Sequence, residues 1–265
     1  MESQLRSHYD SVGWLWERGL RYGGVIDAGC ADGQFALFMA EMGPTRGAAV
    51  LNVDAQEDYR LSLEAVKAAI GGHYRICAVG DADGGTIELQ RGAHAYWASI
   101  RPADDRYWDT LNRLHDMKPV RVPLRSIDSL VAETALPGPY LLKMDIQGAE
   151  AAALAGAART LADTGAVALE MMIEDFSAIH GILVEHGFNL FDLVDLNYTQ
   201  SGVLGWFYAV YLNARHRALR PTEYWDPVKN DEILAHQAQR RDSIRSAMED
   251  CIKRLRAGQW RQLPD

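Results

Sequence analysis

The chain has 265 residues, 48% of them hydrophobic and 24% charged, which suits one large α/β domain with additions. No apolar run approaches the ~18 residues that a membrane helix needs, and Met1-Glu2-Ser3-Gln4-Leu5-Arg6 lacks the basic start and apolar stretch of a signal peptide. The net charge of -9 is uneven, with 16 Lys and Arg against 28 Asp and Glu over residues 1–213, and 11 against 8 over residues 214–265; an acidic body argues against a nucleic-acid substrate and suits a cationic ligand.

Residues 3–21 place Leu5, Tyr9, Val12, Trp16 and Leu20 at steps of three or four, predicting a helix with one apolar face. Tyr22-Gly23-Gly24 leads into a short strand, Gly24-Val25-Ile26-Asp27, that ends in an acid. A glycine-rich turn and a helix over about 33–43 follow. Residues 48–53 read as the second strand, 57–70 as the second helix, 73–79 as the third strand and 86–89 as the fourth. Residues 91–118 are rich in aromatics and charge but poorly periodic, and read as an insertion. Beyond Val120-Arg121-Val122-Pro123-Leu124 come a helix over 126–134, a strand ending at Asp145 and a helix over 149–163. A strand ending at Glu170 and a helix over 176–187 follow. Residues 188–192 and 207–212 are expected to close the sheet as an antiparallel pair.

Strands alternating with amphipathic helices imply an α/β, Rossmann-like, doubly wound and mainly parallel sheet with N- and C-terminal helices. Ligands on such sheets bind outside the carboxyl ends of the strands, where Asp27, Asp145 and Glu170 stand. The domain is expected over 1–213, with a helical extension over 214–265. In that extension Ile244, Met248, Cys251 and Leu255 form a stripe for its own domain or for a homodimer partner. Cys30, Cys77 and Cys251 have no metal-ligand or redox spacing and read as reduced thiols of a cytoplasmic protein.

The first turn is Asp27-Ala28-Gly29-Cys30-Ala31-Asp32-Gly33. Gly29 and Gly33 let the backbone turn tightly and approach a ligand. The pattern lacks two glycines of the dinucleotide fingerprint, and an acid precedes it. A pyrophosphate favours a bare helix N-terminus, whereas S-adenosylmethionine carries a sulfonium and an ammonium that welcome acids. Asp27, Gly29, Ala31 and Gly33 are therefore candidates for binding that methyl donor. Asp54, at the end of the second strand, stands where such folds put an acid against ribose hydroxyls. Asp81, in Gly80-Asp81-Ala82-Asp83-Gly84, is placed to accept the adenine amine, or the glycines simply make a hairpin turn.

Leu142-Lys143-Met144-Asp145-Ile146-Gln147-Gly148-Ala149-Glu150 resembles the signature of the FkbM family of S-adenosylmethionine-dependent methyltransferases. The segments Val25–Gly33, Ala78–Asp81, Leu124–Leu130 and Val167–Glu170 are also similar to that family, so the resemblance covers about residues 20–212. It implies a Rossmann-like enzyme that methylates hydroxyl oxygens on sugars, glycans, polyketides or related metabolites. Cys30 and Asp32 depart from the commoner first turn, and Tyr208 falls where many relatives carry an acid.

O-methylation needs a hydroxyl aligned with the sulfonium methyl and relieved of its proton. Asp145 and Glu170 end neighbouring strands at the right edge, and Glu150 opens the next helix, where negative charge also suits the helix dipole. The three carboxylates read as a base with positioning groups, or as ligands for a divalent cation such as Mg²⁺; the metal-free reading is adopted. Lys143 shares a strand face with Asp145, placing it to pair with that carboxylate or to touch the acceptor. His180, His94 and His115 are titrating bases near neutral pH. The aromatics of His94-Ala95-Tyr96-Trp97 and Tyr107-Trp108 suit stacking on a sugar ring, so the insertion is a candidate acceptor lid. Two other readings stand beside the methyltransferase: a nicotinamide-dependent sugar oxidoreductase, and a non-catalytic domain that binds the donor.

Overall fold

The computed structural model describes residues 7–92, 98–99 and 117–220, with Gln239, Arg241, Arg245, Ser246 and Lys253. The chain divides into two compact units, Met1–Arg220 and Pro221–Asp265. The described positions of the second unit are helical. The C-terminal stripe Ile244, Met248, Cys251 and Leu255 lies outside the described residues.

The first unit opens with α1 (His8–Glu17), β1 (Gly24–Ala28), α2 (Gln34–Met42), β2 (Ala49–Asp54), α3 (Arg60–Ile70) and β3 (His73–Ile76). Next come β4 (Ala78–Val79), β5 (Thr86–Arg91), β6 (Ala98–Ser99), β7 (Lys118–Arg125), α4 (Ile127–Thr134) and β8 (Tyr140–Met144). It ends with α5 (Glu150–Ala155), α6 (Ala158–Ala162), β9 (Thr164–Met172), α7 (Phe176–Glu185), β10 (Phe188–Tyr198) and β11 (Leu204–Asn213).

The main sheet has seven strands in the order β10-β11-β9-β8-β1-β2-β3. Only β11 runs against its neighbours, so the doubly wound, mainly parallel sheet and its antiparallel closing strand stand as expected. The chain leaves β1 toward β2 and β3, then returns to lay β8 on the other side. That reversal opens the crevice in which such sheets bind ligands.

Alternation along the strands sorts two cores. On one face Ile26, Leu51, Leu142, Val167, Leu169, Phe207 and Tyr211 pack with residues of α4 to α7. On the other, Val25, Val50, Leu141, Ala166, Ala168, Tyr208 and Val210 pack with Val12 and Leu15 of α1 and Phe35 and Met39 of α2.

Three local expectations change. The third strand is broken at Cys77, and β4 leaves the main sheet for a second sheet, β4-β7-β5-β6. The fourth strand joins it there, because Leu89 buries itself with Ala78 and Val122 in a small separate core. The helix over 149–163 is two helices: at Gly156 an added Cβ would lie 2.0 Å from Gly80 O, so the chain is pinned at the junction. Asp128 N also donates to Gly156 O at 3.0 Å. In α1, capped by Ser7 and Asp10, the buried face is His8, Ser11, Val12 and Leu15, with Trp16 half-buried. Bonds from Ser11 to Asp192 and from His8 to Asp195 turn the helix that way.

Candidate functional site

Register across the sheet arranges polar residues in two rows on the face covered by α1. The lower row is Asn52, Asp27, Lys143, Ala168 and Val210, adjacent in that order. Two residues nearer the carboxyl edge, the same alternation stacks Asp54, Gly29, Asp145, Glu170 and Tyr208 above them; Tyr208 pairs directly with Glu170.

The lower row holds the upper one in place. Lys143 Nζ lies 3.1 Å from Asp27 Oδ1 and donates to Gly29 O at 2.8 Å. Asp27 is 0% exposed and Lys143 5%. Burial works against the Lys143 ammonium, but the Asp27 and Asp145 carboxylates outweigh it and raise its pKa. Gly29, at φ +70°, tolerates no side chain: a Cβ would lie 1.8 Å from Asp145 O. The glycine turn and the end of β8 therefore touch through backbone alone.

Asp145 follows β8. Tyr208 Oη donates to its Oδ2 at 2.8 Å, while its Oδ1 is buried with no N–H or hydroxyl donor and the Glu170 carboxyl is hydrogen-bonded to the same side chain. Burial, and then the Asp145 carboxylate beside it, push the Glu170 pKa up to about 9, so Glu170 holds its proton at neutral pH and hydrogen-bonds Asp145. Between the ordinary 4.5 and about 9, folded Glu170 keeps a proton that the unfolded chain has released, so stability falls as pH rises through that window. Glu170→Gln is expected to remove this slope, gaining on the parent by up to about 1.4 kcal/mol per pH unit. Melting temperatures at about pH 5, 7 and 9 test this; parallel profiles would put the proton elsewhere.

Glu150 is 3% exposed and turns back on its own loop, accepting from Gly148 N at 2.9 Å and Ile146 N at 3.3 Å. It clamps the bend in which Gln147 and Gly148 take φ +52° and +109°. Burial raises its pKa to about 7. Among the described residues no group of three or more His, Cys, Asp or Glu is arranged to hold a metal ion, and no helix is long and apolar enough to cross a membrane.

The upper row, Tyr208 apart, opens on a cavity of about 270 Å³. Gly29, Ala31 and Asp54 form its middle; Tyr59, Cys77, Val79, Leu89 and Ala98 line an apolar side; Asp145, Gln147, Ala149 and Glu170 line the other. Asp54 accepts from Ala31 N and Gln56 N, both at 2.9 Å, and so ties β2 to the glycine turn. Burial still pushes its pKa to about 6. The charged side chains among the described lining residues, Asp54, Asp145 and Glu170, are all acidic.

The cavity thus gathers Gly29, Ala31, Asp54, Asp145 and Glu170 from among the sequence candidates. Asp27 and Lys143 lie beneath it, and Lys143 is corrected from an acceptor-side group to a brace, because Asp27 and Gly29 O occupy its ammonium. His180 is corrected too. It packs on Phe176 and bonds Tyr211 at 3.2 Å, on the opposite face of the sheet from Asp145. Gly33 begins α2 at φ +86°, against Leu63 and Val66 of α3, and does not line the cavity. Asp81 is exposed and off the cavity wall. Its turn is seated on Gly156, and the neighbouring Asp83 binds Ser126 N, at 2.9 Å, and Arg125. His94, Tyr96, Trp97, Tyr107, Trp108 and His115 lie outside the described residues. Sequence reading reaches Tyr208 only as a departure from a family pattern and misses His8, whose ring stacks on Tyr208 at 4.0 Å.

A profile of the methyltransferase FkbM domain matches residues 27–190. The chain is similar to the crystal structure of a methyltransferase FkbM from Methylobacillus flagellatus, at 16% identity and a TM-score of 0.49, covering 79% of this chain and 48% of that one. It thus spans about half the length of that protein. It is also similar to a precorrin-6y C5,15-methyltransferase from Geobacter metallireducens, with 8% identity, a TM-score of 0.41 and coverage of 80% and 91%. A third likeness is to Aeropyrum pernix fibrillarin in complex with natively bound S-adenosyl-L-methionine, with 14% identity, a TM-score of 0.36 and coverage of 75% and 74%. No curated protein matches the sequence.

Proposed function

The chain belongs to the FkbM methyltransferase family, and from that premise we propose that it moves a methyl group from S-adenosylmethionine to a hydroxyl oxygen of a sugar, glycan precursor or secondary metabolite. The observation that carries the acceptor half is Asp145 Oδ1, buried on the cavity wall and reached by no N–H or hydroxyl of the chain, with the Glu170 carboxyl as its neighbour. A buried carboxylate oxygen with no N–H or hydroxyl donor of its own keeps accepting capacity for a ligand hydroxyl. Membership of a methyltransferase family sets aside the nicotinamide-dependent reading.

The residues present suit the donor. Acids at the centre and one side of the cavity favour a sulfonium and an ammonium and oppose a pyrophosphate. In this reading the apolar side takes adenine, Asp54 takes the ribose hydroxyls, and the backbone at Gly29 and Ala31 faces the amino-acid end. The co-substrate supplies an electrophilic methyl on a positively charged sulfur. As the acceptor oxygen forms its bond to that methyl and the carbon–sulfur bond breaks, Asp145 Oδ1 takes the hydroxyl proton. Neutral Glu170 offers a hydrogen-bond donor beside it. No metal is assigned, since Glu150 is spent on its own loop. The free, buried thiols of Cys30 and Cys77 suit a reducing, cytoplasmic setting.

Calorimetry should show S-adenosylhomocysteine binding with no comparable heat from NAD. Asp54→Ala should weaken that binding by about 1–3 kcal/mol, the range for leaving buried ribose hydroxyls without their partner; an unchanged affinity would remove Asp54 from the donor site. The function itself is tested by incubation with labelled S-adenosylmethionine and a panel of hydroxylated sugars and nucleotide sugars. Methyl transferred only to nitrogen or carbon would overturn the O-methylation reading.

A further inference from the structure

We propose that Tyr208 is a positioning residue for Asp145, and that His8 of α1, pinned by Asp195, fixes the Tyr208 ring so that the first helix is a working part of the site. The proposal rests on reading Asp145 as the base.

A carboxyl group turns readily about its last bond, where the torsion is broad and two-fold. Left alone, Asp145 would present either oxygen to the cavity and either to the Glu170 carboxyl that bonds it. The bond from Tyr208 Oη to Oδ2 fixes which oxygen faces β11 and leaves Oδ1 without an N–H or hydroxyl donor from the chain. Tyr208 itself is 7% exposed and does not line the cavity, so its part is played through Asp145.

The Tyr208 ring is held in turn. His8 lies over it at 4.0 Å with 12° between the planes, and Phe35 of α2 backs His8 at 5.7 Å. The His8 backbone N–H and its Nδ1 both meet Asp195 Oδ2, at 2.8 and 2.7 Å. Asp192 and Val194 already face α1 from β10. In a regular strand Asp195 would therefore point away. It reaches His8 because the β10–β11 register shifts between Val194 and Asn197, and Asp195 takes φ +51°. Bulges re-aim side chains in this way, and a non-glycine residue persists at positive φ only where its surroundings over-determine it. Here those surroundings are α1 and the ring above Asp145.

The test uses the full chain with S-adenosylhomocysteine as probe. Side-chain carboxyl carbons of Asp and Glu are labelled, and the Asp145–Glu170 pair is followed by NMR against pH, assigned through Asp145→Asn. Lys143, Asp27 and Glu150 also face this pair and are left unchanged. Tyr208→Phe removes one hydroxyl and is expected to move the pair's lower titration step to higher pH by about half a unit or more. His8→Ala should move it the same way, and the double variant no further than Tyr208→Phe alone. Affinity for S-adenosylhomocysteine should stay within about twofold of the parent, since neither side chain lines the cavity. Asp195→Asn, which keeps the His8 ring and weakens its anchor, gives the same reading if His8→Ala does not fold. A parental titration curve in Tyr208→Phe overturns the positioning role. Additive shifts, or a parental curve in both His8→Ala and Asp195→Asn, overturn the link to α1. If the parent itself binds no S-adenosylhomocysteine, the methyltransferase reading fails instead.

Discussion

Asp145→Asn is expected to fold, to bind S-adenosylhomocysteine about as well as the parent, and to transfer methyl groups about 10²–10⁴-fold more slowly. That loss corresponds to roughly 3–5 kcal/mol of transition-state stabilisation. The reasoning is positional. In the proposed reading the glycine turn and Asp54 serve the donor's amino-acid and ribose ends, whereas Asp145 shares its side of the cavity with Glu170. Asparagine keeps the shape and a bond to Tyr208, but it cannot take a proton from a hydroxyl. Two assays on one variant decide the matter: donor calorimetry, and transfer of labelled methyl to an acceptor found in the sugar panel. Loss of donor binding would assign Asp145 to the donor pocket. Parental turnover would move the base to Glu170, since His180 is on the wrong face of the sheet.

Lys143→Met should cost about 3–5 kcal/mol of folding stability, the penalty for stranding one partner of a buried ion pair. Asp27 has no solvent to turn to, and Gly29 O loses its donor in the same change. Adding Asp27→Asn should recover most of the loss, because two neutral groups of similar volume replace the pair. Urea unfolding of the parent, the single and the double variant measures this. A single variant as stable as the parent but inactive would restore Lys143 to the chemistry and refute the bracing role.

The carboxyl-edge acids were legible because strand, acid and turn recur in order, and because Leu142–Glu150 carries a dense local pattern. What failed was longer in range. Alternation correctly put Lys143 on the face of Asp145, yet its partner is Asp27 on β1, and no local pattern reports register across a crossover. His180 follows β9 closely in sequence, but α7 crosses to the far face of the sheet, so closeness along the chain misled. Asp81 sits in a turn that looks like a ligand loop until Gly156 is seen underneath it. The strand over 86–89 has the pattern of a main-sheet strand, and only its company with Ala78 and Val122 sends it elsewhere. Asp195 holds His8 over Tyr208 through a bulge, which hydrophobic periodicity does not encode.

The tie between His8 and Asp195 spans 187 positions of the chain, and this sets an order of events during synthesis. When a ribosome has released Ala31, Asp54, Asp145 and Glu170, the cavity's main walls are already outside. The first helix still waits for an anchor on β10, and Asp145 for a hydroxyl on β11. Contacts between such distant segments close late, because the intervening chain must be ordered first. Until then Val12 and Leu15 have no finished sheet to cover, and a partly made chain displays that apolar stripe to chaperones and proteases. A nascent fragment ending near residue 187 would therefore hold the cavity's acids with no Tyr208 hydroxyl to orient Asp145, so in the proposed reading arrival of the last strand marks the point at which the growing polypeptide acquires its chemistry.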